Sequence, residues 1–201
     1  MKAYVVESAN GPFREVKIPT PQPARNQVLV KICASGVNPL DIKIRAGEGG
    51  HAKQPLPAVL GLDMAGIVEV AGAGVTALRP GDEVFGMVGG VGGLQGTLAE
   101  FVAVDAVLLA RKPKVLTMRE SAALPLVTIT AWEGLVDRAR VHAGQTVLVH
   151  AGAGGVGYAA ADCPGPRRKG ICHRIRRQAI DCRGIGRDRD RQACGGRRLC
   201  Y

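Results

Sequence analysis

Over roughly the first hundred residues, apolar side chains fall at alternate positions or in short unbroken runs. Lys2–Val6, Val28–Ile32, Ala65–Val70, Glu83–Phe85 and Thr97–Val104 each predict a short strand. Turn residues separate them: Asn10-Gly11-Pro12, then Arg79-Pro80-Gly81-Asp82 just before Glu83. Pro19, Pro21 and Pro23 exclude helix and mark an extended connector. The glycine-rich stretch 86–96 predicts a loop whose backbone approaches something closely. Many short strands with Gly and Pro turns predict a small, partly closed β-barrel over about residues 1–110.

The pattern changes near residue 115. Thr117-Met118-Arg119-Glu120 has the form of a capping box, so a helix is expected to start there. Pro125 is expected to end or kink it, with helix resuming over Thr128–Val136. Gly144 marks a turn, and Thr146–His150 is a short β-branched run. Gly152, Ala153, Gly154, Gly155, Val156 and Gly157 follow at once, with Gly152, Gly154 and Gly157 in the spacing G-x-G-x-x-G. After a strand, this spacing suits a dinucleotide pyrophosphate, because a Cβ would hold the backbone away from the phosphates. The alternative is a tight strand-to-helix turn with no ligand.

Composition adds boundaries. The chain has 201 residues, 46% hydrophobic, with 28 glycines, which is enough for a packed core. No apolar run reaches the ~18 residues of a membrane span, and Met1-Lys2-Ala3-Tyr4 does not read as a secretion signal. The expectation is a cytoplasmic protein with no membrane partner. Aromatic residues are 3%, against a stacking platform for single-stranded nucleic acid. The net charge of +10 is uneven: residues 1–161 carry a net +2, and residues 162–201 a net +8. Five of the six cysteines also lie in those last forty residues.

Four segments occur in one order: Ala34-Ser35-Gly36-Val37-Asn38-Pro39-Leu40-Asp41, Gly61-Leu62-Asp63-Met64-Ala65-Gly66, Arg79-Pro80-Gly81-Asp82-Glu83-Val84-Phe85-Gly86, and the glycine cluster. Together they resemble the medium-chain dehydrogenase/reductase superfamily, in its zinc-free quinone-oxidoreductase-like branch. The resemblance implies a mixed α and β chain: a GroES-like β-barrel domain followed by the start of a Rossmann α/β domain, with an irregular basic tail. It places the barrel, or substrate, domain at 1–115, the beginning of the nucleotide-binding domain at 116–161, and the tail at 162–201. It also implies reduction by NADPH, with NADH the less favoured cofactor, in the cleft between the two domains, and a homodimeric parent.

Zinc-dependent relatives place Cys where Asn38 stands and His where Leu62 stands. Catalytic zinc needs three N, S or O ligands, and His51, Asp63, His142 and His150 show no ligand spacing. No metal is therefore expected. Without a Lewis acid, the acceptor must already be activated, as in a quinone or an α,β-unsaturated carbonyl compound. By resemblance, Asn38 and Asp41 line the substrate pocket, and the Asn38 amide could hold a carbonyl oxygen. Read from the residues alone, Asn38-Pro39 is a turn and Asp41 an acidic residue at a helix start. Thr130 resembles a threonine that contacts the cofactor near its nicotinamide, the alternative being a core-facing helix residue. Trp132 reads as core.

Residues 162–201 show no alternating or helical apolar face, and no C-x-x-C pair. One reading is a basic arm that makes the chain a non-enzymatic barrel module binding nucleic acid through phosphates, although nothing in the barrel points to base recognition. The other is an out-of-frame segment. Arg codons of the CGN type and Cys codons, read one base forward, give Val, Ala, Asp, Glu, Gly or Ala and Val. Read so, 161–191 permits an Ala/Gly-rich helix, strand, turn and helix. On this second reading the frame is lost near residues 158–161, the tail is disordered, and the truncated chain is inactive.

Overall fold

The computed structural model describes residues 1–142, 145, 147–162, 171–173 and 199–200. By contacts, the chain divides into two units, Met1–Leu126 and Val127–Tyr201.

The first unit holds eight strands: β1 (Lys2–Val6), β2 (Arg14–Lys17), β3 (Gln27–Ser35), β4 (Ala58–Val59), β5 (Asp63–Ala71), β6 (Glu83–Met87), β7 (Phe101–Asp105) and β8 (Ala110–Arg111). Helix α1 (Pro39–Arg45) follows β3, and α2 (Met118–Ala122) follows β8. The strands form a three-stranded sheet, β2-β1-β4, and a five-stranded sheet, β7-β3-β5-β6-β8, antiparallel throughout. Alternation in β6 and β7 buries Val84, Val102 and Val104. With Val28, Val30, Met64 and Val68 these make the main core. A second cluster packs α1 through Ile44 against Val6, Leu60 and Leu62.

Strand β7 begins later than the sequence pattern suggests. Thr97 and Leu98 donate their N–H groups to Gly61 and Leu60 instead, at 3.0 and 2.9 Å. The close approach expected of the 86–96 loop is therefore to the chain's own backbone. A Cβ at Gly96 would overlap Leu60 and Val59, and Gly92 donates to the Ala52 carbonyl at 2.7 Å.

The capping box forms at α2. Glu120 N–H donates to Thr117 Oγ1 at 3.2 Å, and Thr117 N–H to Glu120 Oε2 at 2.8 Å. Those bonds hold the Glu120 carboxyl below its ordinary pKa. Pro125 does not end a helix: α2 stops at Ala122, and Pro125 opens α3 (Pro125–Trp132). Proline has no N–H to lose at a first helical position, so it serves there at no cost.

The second unit continues α3 into a π-helical stretch, Glu133–Arg138. Strand β9 (Val147–Val149), helix α4 (Gly155–Asp162), and strands β10 (Ile171–His173) and β11 (Leu199–Cys200) follow. Ala131, Leu135, Val141, Val147, Val149 and Ala160 form its core. Trp132 is not core but 42% exposed. The core side of α3 is taken by Ala131, one residue earlier, about 100° around the helix.

The irregular tail is corrected at two places. β10 and β11 pair in parallel with β9, one on each edge, in the order β10-β9-β11. A lone β9 would leave both edges of backbone N–H and C=O groups unpaired, and these two segments supply partners. The remainder of 162–201 lies outside the described residues, apart from Asp162 at the end of α4.

Candidate functional site

The first unit holds a candidate site at the junction of β3 and α1. Asn38 is the N-cap of α1, with extended backbone at φ −119°, and Pro39 opens the helix. Three residues on, Asp41 reaches back, and its Oδ2 accepts the Asn38 backbone N–H at 2.8 Å. The acidic first turn is seen at Asp41, while Asn38-Pro39 is a helix start and not a turn. The Asn38 side chain is 5% exposed, and its Nδ2 donates to Asp63 Oδ2 at 3.0 Å. Asp63, fully buried, opens β5, and its two oxygens also accept the Leu126 N–H at 3.2 and 3.1 Å.

Asp41 differs from Asp63 in what it lacks. Its Oδ1 is buried with no hydrogen-bond partner. Burial raises its pKa to about 6 against the pull of the Asn38 N–H, and the neighbouring Asp63 charge raises it further. Burial also raises Asp63, opposed by its N–H donors. Asp41 borders a pocket of about 410 Å³ walled by Tyr4, Phe13, Val37, Ile42 and Leu60, in which it is the one carboxylate. Asn38 is not part of that wall.

The raised pKa has a consequence for stability. A carboxyl whose folded pKa exceeds its unfolded value binds its proton more tightly when folded. Its contribution is complete below the ordinary value of 3.8 and is lost as pH rises through about 6. The stability of the wild type relative to Asp41→Asn is therefore expected to fall between pH 4.5 and 7. Urea midpoints of both proteins at the two pH values check this. A constant difference, or one that grows with pH, contradicts it.

The second unit holds a separate candidate site around the glycine cluster. Ala151 adopts a left-handed conformation, φ +53°, directly before Gly152. The Gly154 N–H closes the turn on the Ala151 carbonyl at 2.8 Å, and the Gly154 carbonyl takes the Tyr158 N–H at 3.0 Å as α4 begins. Gly157 lies on Gly152 so closely that a Cβ would come within 2.5 Å of its Cα and carbonyl oxygen. Ala153, Gly154, Gly155 and Val156 remain exposed. The first amides of α4 thus face outward with no helical partner, the requirement for holding a phosphate. These residues fit the pyrophosphate of a nicotinamide dinucleotide. Gly155 packs on Val127, where a Cβ would meet Cγ1 at 2.8 Å, and Thr130 follows on the same helix, exposed rather than core-facing.

Leu62 is 1% exposed within the α1 core cluster, and His51, His142 and His150 are exposed. Among the described residues, no three His, Cys, Asp or Glu side chains gather as metal ligands would. Asp63 and the Leu126 amide were not anticipated as parts of the site. The available signal was an acidic residue at the head of the apolar run Asp63–Ala71, since a buried carboxylate needs donors.

Residues 24–114 match the alcohol dehydrogenase GroES-like domain. The 2-methylene-furan-3-one reductase of Solanum lycopersicum is 44% identical over 147 residues, 71% of this chain and 38% of its own length. The chloroplastic NADPH-dependent alkenal/one oxidoreductase of Arabidopsis thaliana is 43% identical, over 78% of this chain and 42% of its own. A quinone oxidoreductase of Sus scrofa is 42% identical, over 73% of this chain and 42% of its own. Among solved structures, an alcohol dehydrogenase superfamily protein of Novosphingobium aromaticivorans is 66% identical with a TM-score of 0.79, over 80% of this chain and 48% of its own. The quinone oxidoreductase of Coxiella burnetii is 37% identical with a TM-score of 0.70, over 80% and 51%. The chain thus spans less than half the length of these curated relatives, and about half that of these solved ones.

Proposed function

Since the chain belongs to the medium-chain dehydrogenase/reductase superfamily, beside quinone oxidoreductases and enone reductases, we propose that it carries the acceptor- and cofactor-binding elements of an NADPH-dependent, zinc-independent reductase of quinones and α,β-unsaturated carbonyl compounds. The observation that carries this reading is the state of the two positions where zinc relatives hold ligands. Leu62 is an aliphatic core residue, and the Asn38 amide gives a hydrogen to Asp63. Neither is a thiolate or an imidazole, so this pair offers no zinc ligands of the usual kind.

When bound, NADPH supplies a hydride. Gly155 and Val156 would hold its pyrophosphate by backbone amides, and Thr130 would contact it nearer the nicotinamide. The second Asn38 N–H, the one not given to Asp63, would donate to the carbonyl oxygen of an acceptor that reaches it past Asp41, which borders the pocket and which the Asn38 side chain touches, and would stabilise the negative charge developing there. Asp41, with a pKa near 6, holds an exchangeable proton near neutral pH at the pocket wall. The 201-residue chain itself is proposed to bind NADPH weakly and to turn over below detection. The sheet on either side of the glycine cluster has three strands of two or three residues each among the described residues. That the solved relatives align over 80% of the chain supports the loss of reading frame near residues 158–161. A barrel module with a nucleic-acid-binding arm finds no support in the Solanum lycopersicum and Arabidopsis thaliana relatives, a reductase and an oxidoreductase.

Metal analysis of the purified chain tests the zinc-independent part. The expected content is far below one zinc per chain after dialysis without chelator. One tightly held zinc per chain overturns it.

A further inference from the structure

We propose that Asp63 is a positioning residue for the acceptor site: it fixes which way the Asn38 carboxamide points, and it anchors that amide to the backbone at Leu126. The inference rests on the reading above, in which Asn38 meets the acceptor's carbonyl oxygen.

A terminal carboxamide can turn its oxygen or its nitrogen toward a neighbour, and the two are nearly equal in shape. At Asn38 the neighbour decides. Asp63 Oδ2 lies 3.0 Å from Nδ2, and Asp63 is fully buried. An ionised carboxylate accepts only, so the flipped amide would set oxygen against oxygen at about 3 Å. The Leu126 N–H holds Asp63 from the other side, with contacts to both oxygens. Gly36 gives no slack, since a Cβ there would lie 3.0 Å from the Asp63 Cβ. One Asn38 hydrogen is thereby committed to Asp63, and the fixed amide also sets the direction of the other, on the side of Asp41, which the Asn38 side chain touches and which borders the pocket. The chain is tied at three points, in positions 38, 63 and 126, so the donor's direction is set by strand β5 and not by helix α1 alone.

The test uses the isotope-labelled 201-residue chain. In the wild type, a through-hydrogen-bond coupling from the Asn38 side-chain nitrogen to the Asp63 carboxyl carbon is expected. Its absence overturns the proposal with no variant needed. In Asp63→Asn, one amide oxygen can still face both neighbours, as Oδ2 does now, but the charge that strengthens both hydrogen bonds is gone. Exchange of the Leu126 amide or of the Asn38 side-chain hydrogens should rise at least about tenfold, while the Val30 amide in the core stays protected. Unchanged exchange at both overturns the proposal. Duroquinone, which has no open ring position for a thiol to attack, is the acceptor probe. It should shift the second Asn38 side-chain hydrogen and bind about tenfold more weakly to Asp63→Asn. Equal binding to both proteins overturns the positioning role. A wild-type Asn38 unmoved by duroquinone, with the coupling present, overturns instead the reading of Asn38 as the acceptor's donor.

Discussion

Gly36→Ala is expected to lower the stability of the first unit by about 3 kcal/mol, roughly 10 °C in midpoint, and to disturb the site with it. Gly36 links β3 to Val37 and Asn38. A Cβ at this position would overlap the Ala122 carbonyl oxygen at the end of α2 and press on the Asp63 Cβ at 3.0 Å. Both neighbours are fixed. The first is backbone, and the second belongs to a carboxylate held by Asn38 and Leu126. No rotamer change relieves such a contact, so α2 or β5 must move. Gly81→Ala is the comparison. Gly81 has φ +90° but nothing within 4 Å of a built Cβ, so only conformational strain of about 1 kcal/mol is expected. Thermal unfolding of the three proteins by circular dichroism separates the effects. Equal losses for the two variants contradict the packing argument.

Gly157→Ala is expected to do to the second unit what Gly36→Ala does to the first. Its methyl group would meet the Gly152 Cα and carbonyl oxygen at about 2.5 Å. Helix α4 would have to lift from the turn that precedes it, taking Ala160 out of the core it shares with Val147 and Val149. A loss of about 2–4 kcal/mol is expected in this unit, together with any affinity for NADPH, because the exposed amides of Gly155 and Val156 move with the helix. Gly134→Ala is the control: nothing lies within 4 Å of a Cβ there, and the helical setting favours alanine by up to about 1 kcal/mol. The chain's single tryptophan, Trp132, lies in this unit, so its fluorescence follows this unfolding separately. If Gly157→Ala leaves the tryptophan transition in place, the glycine is not needed for packing.

The barrel strands were legible because half-buried antiparallel strands write their burial as alternation, as in Glu83–Met87 and Phe101–Asp105. The α2 start was legible because both halves of its cap lie within four residues. Pro125 misled because proline closes one helix and opens another by the same missing N–H, and sequence alone does not say which. Trp132 misled because size predicts burial only on average, and helix phase assigned the core side to Ala131. The glycine cluster showed its spacing, but not that Gly157 serves packing while Gly154 and Gly155 face outward. Asp63 stayed hidden because its partners stand 25 and 63 positions away. Only the fold brings Asn38 and Leu126 to one carboxylate.

The proposed activity is a reduction that needs NADPH and no metal. The most direct measurement joins residues 1–157 of this chain to the remaining nucleotide-binding residues of the Novosphingobium aromaticivorans protein, its 66% identical solved relative. NADPH oxidation is then followed with duroquinone, before and after dialysis against a strong chelator. The account predicts duroquinone-dependent oxidation of one NADPH per quinone reduced, unchanged by the chelator. A folded, NADPH-binding chimera that reduces no duroquinone, or one whose activity vanishes with the chelator and returns with zinc, would contradict it.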